Sequence, residues 1–276
     1  MGFRALIGAA AEEISEAIFP SNIYCIVCGS LIDRSRPYSL CDECAAQMHW
    51  ITGDTCDKCG KALPDTYRGI GADGRRLCYD CMTREHYFTR GWSCLTYGLR
   101  EREMMMDIKY NSKGYIAGKM GDVMFDRMLP VIEGAMADGL IPFDAVIPVP
   151  VSRKRLVKRG YNQSELMARR FLHRWKKTEA APLCPKLETK ILVRKKETVM
   201  LRSMNPEERR LALHDAFEVD SGLRHRIEGK SILLIDDIYT TGATADACSK
   251  VLLEEGAASV CLLTLCSGGN RRPKNE

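Results

Sequence analysis

Residues 231–244 read SILLIDDIYTTGAT, and no other stretch limits the fold as tightly. Ile232, Leu233, Leu234 and Ile235 form a continuous branched apolar run. A strand buried on both faces of a parallel sheet reads this way. Asp236 and Asp237 follow at its C-terminal end. A small hydroxyl-rich loop comes next, and residues 245–253 are good helix formers. Buried strand, acidic pair, loop and helix in that order predict an α/β domain with a parallel sheet flanked by helices.

This layout has a chemical consequence. The first turn of a helix has unpaired N–H groups and the positive end of the dipole, so it can hold a phosphate. Thr240, Thr241 and Thr244 add hydroxyls, and Gly242 lets the backbone approach an anion closely. Paired carboxylates suit the vicinal diol of a sugar, or a divalent cation. Together these groups describe a ribose 5-phosphate that carries a pyrophosphate. Neither the Gly-x-Gly-x-x-Gly fingerprint of dinucleotide sites nor the Gly-Lys-Ser/Thr of P-loops is present here. The stretch resembles the signature of type I phosphoribosyltransferases: four apolar residues, two acidic residues, then a Thr/Gly-rich loop. The resemblance implies 5-phosphoribosyl pyrophosphate (PRPP) with Mg²⁺ as the ligand. It assigns Asp236 and Asp237 to catalysis, and Thr240, Thr241, Gly242, Ala243 and Thr244 to PRPP binding.

Charge is unevenly spread. The 276 residues carry a formal +5, but residues 151–214 hold 18 Lys/Arg against 6 Asp/Glu, a net of +12. That block needs either an anionic partner or full solvation; pyrophosphate, PRPP and nucleic acid are the candidates.

Eight of the 13 cysteines form four Cys-x-x-Cys pairs, all before residue 82. Cys25/Cys28 and Cys41/Cys44 are separated by twelve residues, and Cys56/Cys59 and Cys78/Cys81 by eighteen. Each pair can place two thiolates on one ion, and two pairs complete a tetrahedral site. Two structural Zn²⁺ ions are expected. Sequential pairing closes shorter loops than an interleaved cross-brace, though spacing alone admits both. Glu12, Glu13 and Glu16 stand where a signal peptide would have its apolar core, Leu6 stands where a myristoylation site needs Ser or Thr, and no run has the length of a membrane span. A cytoplasmic location with no membrane contact is expected, where reduced thiols favour metal over cross-links. Cys94, Cys184, Cys248, Cys261 and Cys266 lack ligand spacing and read as small buried hydrophobes.

Around these features the chain divides into a docking helix in residues 1–20, a double zinc ribbon in 21–90, the α/β domain in 91–266 and a disordered basic tail in 267–276. Residues 143–149, FDAVIPV, read as a second buried strand. The loop after it, residues 150–161, carries Arg153, Lys154, Arg155, Lys158 and Arg159. Ligands of open α/β sheets bind beyond the C-terminal strand ends. Arg153, Lys154, Arg155 and Arg159 are therefore expected to hold pyrophosphate. Asn162 and Glu165 look like a capping box for the next helix. Met120, Met124 and Met128 fall at helical spacing and read as core.

FPSNIYCIVCG, the four cysteine pairs, DIKYNSKGYIAGKMG, VIPVPVSRKRLVKRGYNQSEL and LLIDDIYTTGAT together resemble the ComF family, over about residues 15–266. The resemblance implies a phosphoribosyltransferase-like domain behind a double zinc ribbon. It also implies a role in natural transformation, with single-stranded DNA or a competence-machinery protein as partner. Two departures stand out. Thr198, Val199, Met200 and Leu201 replace a Thr-Pro-x-Gln stretch, and Ala212 replaces an Asn after the Glu-Arg-Arg run. Both lie in the segment that closes over the site in phosphoribosyltransferases. Three readings therefore stand: an enzyme passing phosphoribosyl to an unidentified nitrogen nucleophile, a non-catalytic DNA-uptake factor, and a PRPP sensor.

Overall fold

The computed structural model describes residues 22–67, 69–195, 213 and 215–269. The expected N-terminal helix, most of the closing segment with its two departures, and nearly all of the tail lie outside the described residues. The chain forms two compact units, Met1–Met48 and His49–Glu276. Within the first, a short helix α1 (Asp42–Gln47) begins at Cys41.

In the second unit, α2 (Tyr79–Thr83) begins at Cys78. Strand β1 (Gly91–Thr96), helices α3 (Leu99–Tyr110) and α4 (Gly114–Ala137) and strand β2 (Ala145–Pro148) follow. Next come α5 (Arg153–Arg159), α6 (Gln163–Trp175), β3 (Lys186–Leu187), β4 (Leu192–Arg194) and β5 (Phe217–Val219). The chain closes with β6 (Ser231–Tyr239), α7 (Ala243–Glu254) and β7 (Ser259–Ser267).

Five strands make one parallel sheet in the order β1-β7-β6-β2-β3, and β4 and β5 form a separate antiparallel pair. The expected α/β architecture is borne out. β6 is the middle strand, pairing with β2 on one side and β7 on the other. Ile232, Leu233, Leu234 and Ile235 are fully buried, which explains why that run is apolar at every position. The methionines at 120, 124 and 128 are buried as expected, with Met104, Met105 and Ile108 of α3. No helix of the described residues is long and apolar enough to cross a membrane.

The second cysteine group does not sit outside this body. Cys56, Cys59, Cys78 and Cys81 belong to the same buried cluster as Ile147, Ile232, Leu234, Tyr239 and Leu262. The Gly91 amide donates to the Lys58 carbonyl at 2.7 Å, and a Cβ on Gly60 would meet Gly91 O at 2.6 Å. The cysteine knuckle is thus pressed directly onto the start of β1.

Two local expectations change. β6 continues through both aspartates to Tyr239, because its partner β7 supplies a ladder along the whole length. The basic stretch after β2 is a helix, α5, rather than a loop. Ser152 caps it by accepting from the Arg155 amide at 3.4 Å, and Gly160 ends it in the left-handed region at φ 81°. The capping box at α6 is only half formed. The Asn162 side chain accepts from the Ser164 amide, while Glu165 pairs with Arg169 instead.

α4 and α6 pack closely where Gly121 lies. A Cβ there would stand 2.6 Å from the Met167 carbonyl oxygen and 2.7 Å from Arg170 Cβ, whereas Gly118, one turn away, has open space. Two glycine-to-alanine changes in one helix should therefore have opposite signs. Gly118→Ala gains about 0.5–1 kcal/mol from helix propensity. Gly121→Ala loses about 1–3 kcal/mol because the helices must separate. Urea denaturation of the two variants checks both signs.

Candidate functional site

The C-terminal ends of β2 and β6 open onto a cavity of about 330 Å³. Asp236, Asp237, Thr240 and Thr244 line it from β6 and the loop beyond, with Lys109 from α3, Arg155 and Arg159 from α5, Gln163 from α6 and Arg194 from β4. Its volume falls within the range of small-molecule sites. A smaller notch of about 70 Å³ lies against Asp236 and residues 239–245 and shares part of this lining.

The two carboxylates differ. Lys109 Nζ lies 2.5 Å from Asp237 Oδ2, and Gln163 Nε2 donates to the same oxygen at 3.2 Å. Burial works against ionisation of Asp237, but the Lys109 ammonium and the Arg159 guanidinium outweigh it and hold the carboxyl below its usual range. Among the described residues, Asp236 has no such cation in contact. Its Oδ1 accepts from Ser164 Oγ at 3.3 Å and from the Asp237 amide at 2.8 Å. Burial, reinforced by the adjacent Asp237 charge, pushes the Asp236 carboxyl up to about 7.

The four expected pyrophosphate residues divide by position on α5. Arg155 and Arg159, one turn apart, share the face that lines the cavity. Arg153 and Lys154 point to solvent and do not line it. Arg159 donates to Gln163 Oε1 at 2.9 Å and lies over the Tyr110 ring at 5.6 Å, which fixes its direction.

Thr240, Thr241 and Gly242 form the turn into α7. Gly242 is the N-cap at φ 84°, a conformation that favours glycine. Lacking a side chain, it supplies no capping oxygen. The amides of Ala243, Thr244 and Ala245 in the first turn have no partner within the helix.

The eight metal-ligand candidates fall into two sets, Cys25/Cys28/Cys41/Cys44 and Cys56/Cys59/Cys78/Cys81, so the pairing is sequential. All sulfurs of a set lie within 4.8 Å of one another. A Zn–S bond of about 2.3 Å implies a tetrahedral edge of about 3.8 Å. Cys28 and Cys41 sulfurs are 3.7 Å apart, and Cys59 and Cys78 sulfurs 3.6 Å. Both sets fit a closed, structural zinc site. His49 and His86 are not ligands. His49 bonds Glu101, and His86 bonds Asp246. Of the remaining cysteines, Cys94, Cys248 and Cys266 are fully buried, and Cys184 and Cys261 are half-buried. Burial pushes the Cys94 thiol up to about 12 and raises the other four as well.

Four lining or supporting residues were not singled out from the sequence: Lys109, Gln163, Ser164 and Arg194. Lys109 lies in the motif DIKYNSKG and Gln163 and Ser164 in KRGYNQSEL, so family resemblance was their only signal. Arg194 had none.

Comparison with known proteins supports this picture. A family model described as a double zinc ribbon domain matches residues 14–82. The chain is 26% identical over 263 residues to competence protein ComFC of Bacillus subtilis, covering 88% of this chain and 94% of that protein. It is 25% identical over 226 residues to competence protein F of Haemophilus influenzae, covering 80% and 93%. It is 24% identical over 230 residues to the DNA utilization protein YhgH of Escherichia coli K12, covering 83% and 90%.

Two outcomes follow from this geometry. Metal analysis of the purified chain should give two zinc ions per chain, falling to one in the Cys25→Ser, Cys44→Ser variant. The second outcome concerns pH. A carboxyl raised by folding holds its proton more tightly in the folded chain than in the unfolded one. The stability that Asp236 contributes is therefore present at acid pH and lost as pH climbs from about 4 to about 7. Asp236→Asn keeps the shape without the charge. It should stabilise the protein by up to about 4 kcal/mol at pH 8 and by almost nothing at pH 4, measured by urea denaturation.

Proposed function

We propose that this chain, a ComF-family protein with an N-terminal zinc ribbon, binds PRPP in the cavity at the end of β6. One observation carries the reading. A carboxylate pair and two inward-facing arginines line one cavity, and a glycine-capped helix start lines the notch that adjoins it through Asp236, Thr240 and Thr244. The 5-phosphate fits the notch formed by Thr240, Thr241 and the first turn of α7, where Thr244 adds a hydroxyl. Asp236 accepts from the ribose diol. Asp237 is already engaged by Lys109 and fixes that ammonium beside the ligand. The pyrophosphate lies toward Arg155 and Arg159, with Arg194 on the far side. Mg²⁺ carried by a pyrophosphate supplies further charge neutralisation when bound.

In the catalytic version, Arg155 and Arg159 stabilise pyrophosphate as it leaves C1, and a nitrogen nucleophile takes its place. The phosphate notch orients the ribose and contributes binding energy remote from the reacting bond. The cellular setting follows from the relatives. Their names, competence and DNA utilization, support a role in DNA uptake or use. The exposed cations Arg153, Lys154 and Lys158, on the outer face of α5, favour backbone contact with single-stranded DNA as the second reading.

Calorimetry with PRPP and Mg²⁺ tests the central reading. Wild type should bind, and the Asp236→Asn, Asp237→Asn double variant should not. Arg155→Ala with Arg159→Ala should weaken pyrophosphate binding about tenfold or more and affect ribose 5-phosphate much less. No binding by the wild type overturns the proposal. Pyrophosphate release with one of a panel of bases marks an enzyme, and binding without release marks a sensor. Single-strand binding that weakens with salt and survives the double Asp change marks the DNA reading.

A further inference from the structure

The back of the proposed phosphate loop is closed by Tyr239, at the rim of the notch, and by His86, which lines neither the notch nor the cavity. A Cβ on Gly242 would stand 2.8 Å from the Tyr239 hydroxyl and 2.9 Å from His86 Cε1, so these two side chains fill the space behind the turn. His86 is a buried side chain with both ring nitrogens engaged. Its Nδ1 lies 2.9 and 3.1 Å from the two carboxylate oxygens of Asp246, in the first turn of α7. A carboxylate only accepts, so Nδ1 carries a proton, and Nε2 lies 3.4 Å from the Tyr239 hydroxyl. The Tyr87 amide adds a second donor to Asp246, at 3.2 Å. Phe88 stacks on the His86 ring, with centroids 5.0 Å apart.

His86 comes from the second cysteine module, five residues beyond Cys81. Another contact ties that module to the same tyrosine. The buried Lys61 ammonium lies 5.4 Å from the Tyr239 ring centroid and 2.6 Å from Asp80 Oδ2, which sits between Cys78 and Cys81. A polar chain thus runs from the metal-ligand turns through Lys61, Tyr239 and His86 to Asp246 and Gly242. Packing alone would need apolar groups here. Buried polar groups with partners on both sides fix direction as well as contact.

We propose that His86 is a positioning residue for the phosphate loop, held in place by the second zinc ribbon. Its bonds to Asp246 and Tyr239 aim the first-turn amides of α7 at the 5-phosphate. This rests on the reading of the notch as a phosphate site, and the test separates the two. The full-length zinc-loaded protein is titrated with ribose 5-phosphate and, separately, with pyrophosphate. His86→Ala should keep two zinc ions, bind ribose 5-phosphate about tenfold more weakly, as expected when preorganisation is lost, and bind pyrophosphate unchanged. His86→Asn, which retains a donor near the Nδ1 position, should recover part of the loss. Backbone amide exchange of the unliganded His86→Ala protein should rise in residues 241–246 and not in β7. Equal ribose 5-phosphate affinity in wild type and His86→Ala overturns the inference, as does an equal loss for both probes. A wild type that binds neither probe defeats the reading of the notch itself. In that event the amide exchange alone decides for His86, and unchanged exchange overturns the inference.

Discussion

Adjacent buried carboxylates cannot both ionise without a cation, and the Lys109–Asp237 pair at 2.5 Å is the interaction around which the site is arranged. It settles which of the two carries charge. With Lys109 beside it, Asp237 is the anion. Asp236 then faces that anion at close range, with part of its surface on the cavity, and keeps its proton until near neutrality. The pair behaves as one coupled group. The placement of Lys109 is itself built. It stands in the last turn of α3, and the first turn is anchored by the buried Glu101 carboxylate, which accepts from the amides of Gly98 and His49. One end of α3 is thus tied to the entry of the second unit, and the other delivers an ammonium to the middle strand.

β6 serves two neighbourhoods along its length. Its first half is pure core. Its acidic residues then open onto the cavity, and Tyr239 at its end turns toward the cysteine module. The glycine-capped turn into α7 lies just beyond. A parallel sheet brings every strand's C-terminal end to one edge, so a loop there can gather groups from α3, α5, α6 and β4 that are far apart in sequence. The cavity is therefore a product of topology, and its cations come from three separate elements.

How much of this was legible follows from range. The strand–acid–loop–helix order is a local signal, and it marks β6, the glycine-capped turn and α7. Cysteine spacing is equally local and marks all eight ligands, while the choice of sequential over interleaved pairing comes from the fold. The helical nature of α5 was also written locally, in Ser152 and Gly160, but the density of cations between them reads as a loop. Which of those cations face inward depends on the helix phase. Once 153–159 is helical, Arg155 and Arg159 share a face and Arg153 and Lys154 cannot join them. Lys109 and Arg194 belong to another class. Lys109 meets Asp237 across 128 positions of chain, and no periodicity carries that information. His86 is similar. Near eight cysteines it invites a metal role, yet its partner Asp246 lies 160 residues away.

The two cysteine sets differ in what metal would do for the chain. In Met1–Met48, Cys28 is exposed and Cys41 half-buried, and a segment of that size has little apolar core of its own. Metal there serves the module itself. In His49–Glu276 all four cysteines are buried in the cluster that includes the middle of the sheet. Four sulfurs at tetrahedral spacing inside a hydrophobic core need an ion to compensate their charge, or protons in its place. Metal at the second set therefore stabilises the sheet and the ribbon as one object. Because Tyr239 and His86 lie between that set and Gly242, whatever fixes the sulfurs also fixes the back wall of the loop. A zinc ribbon placed this way is part of the wall behind the turn into α7, and its sequence distance from that turn conceals that.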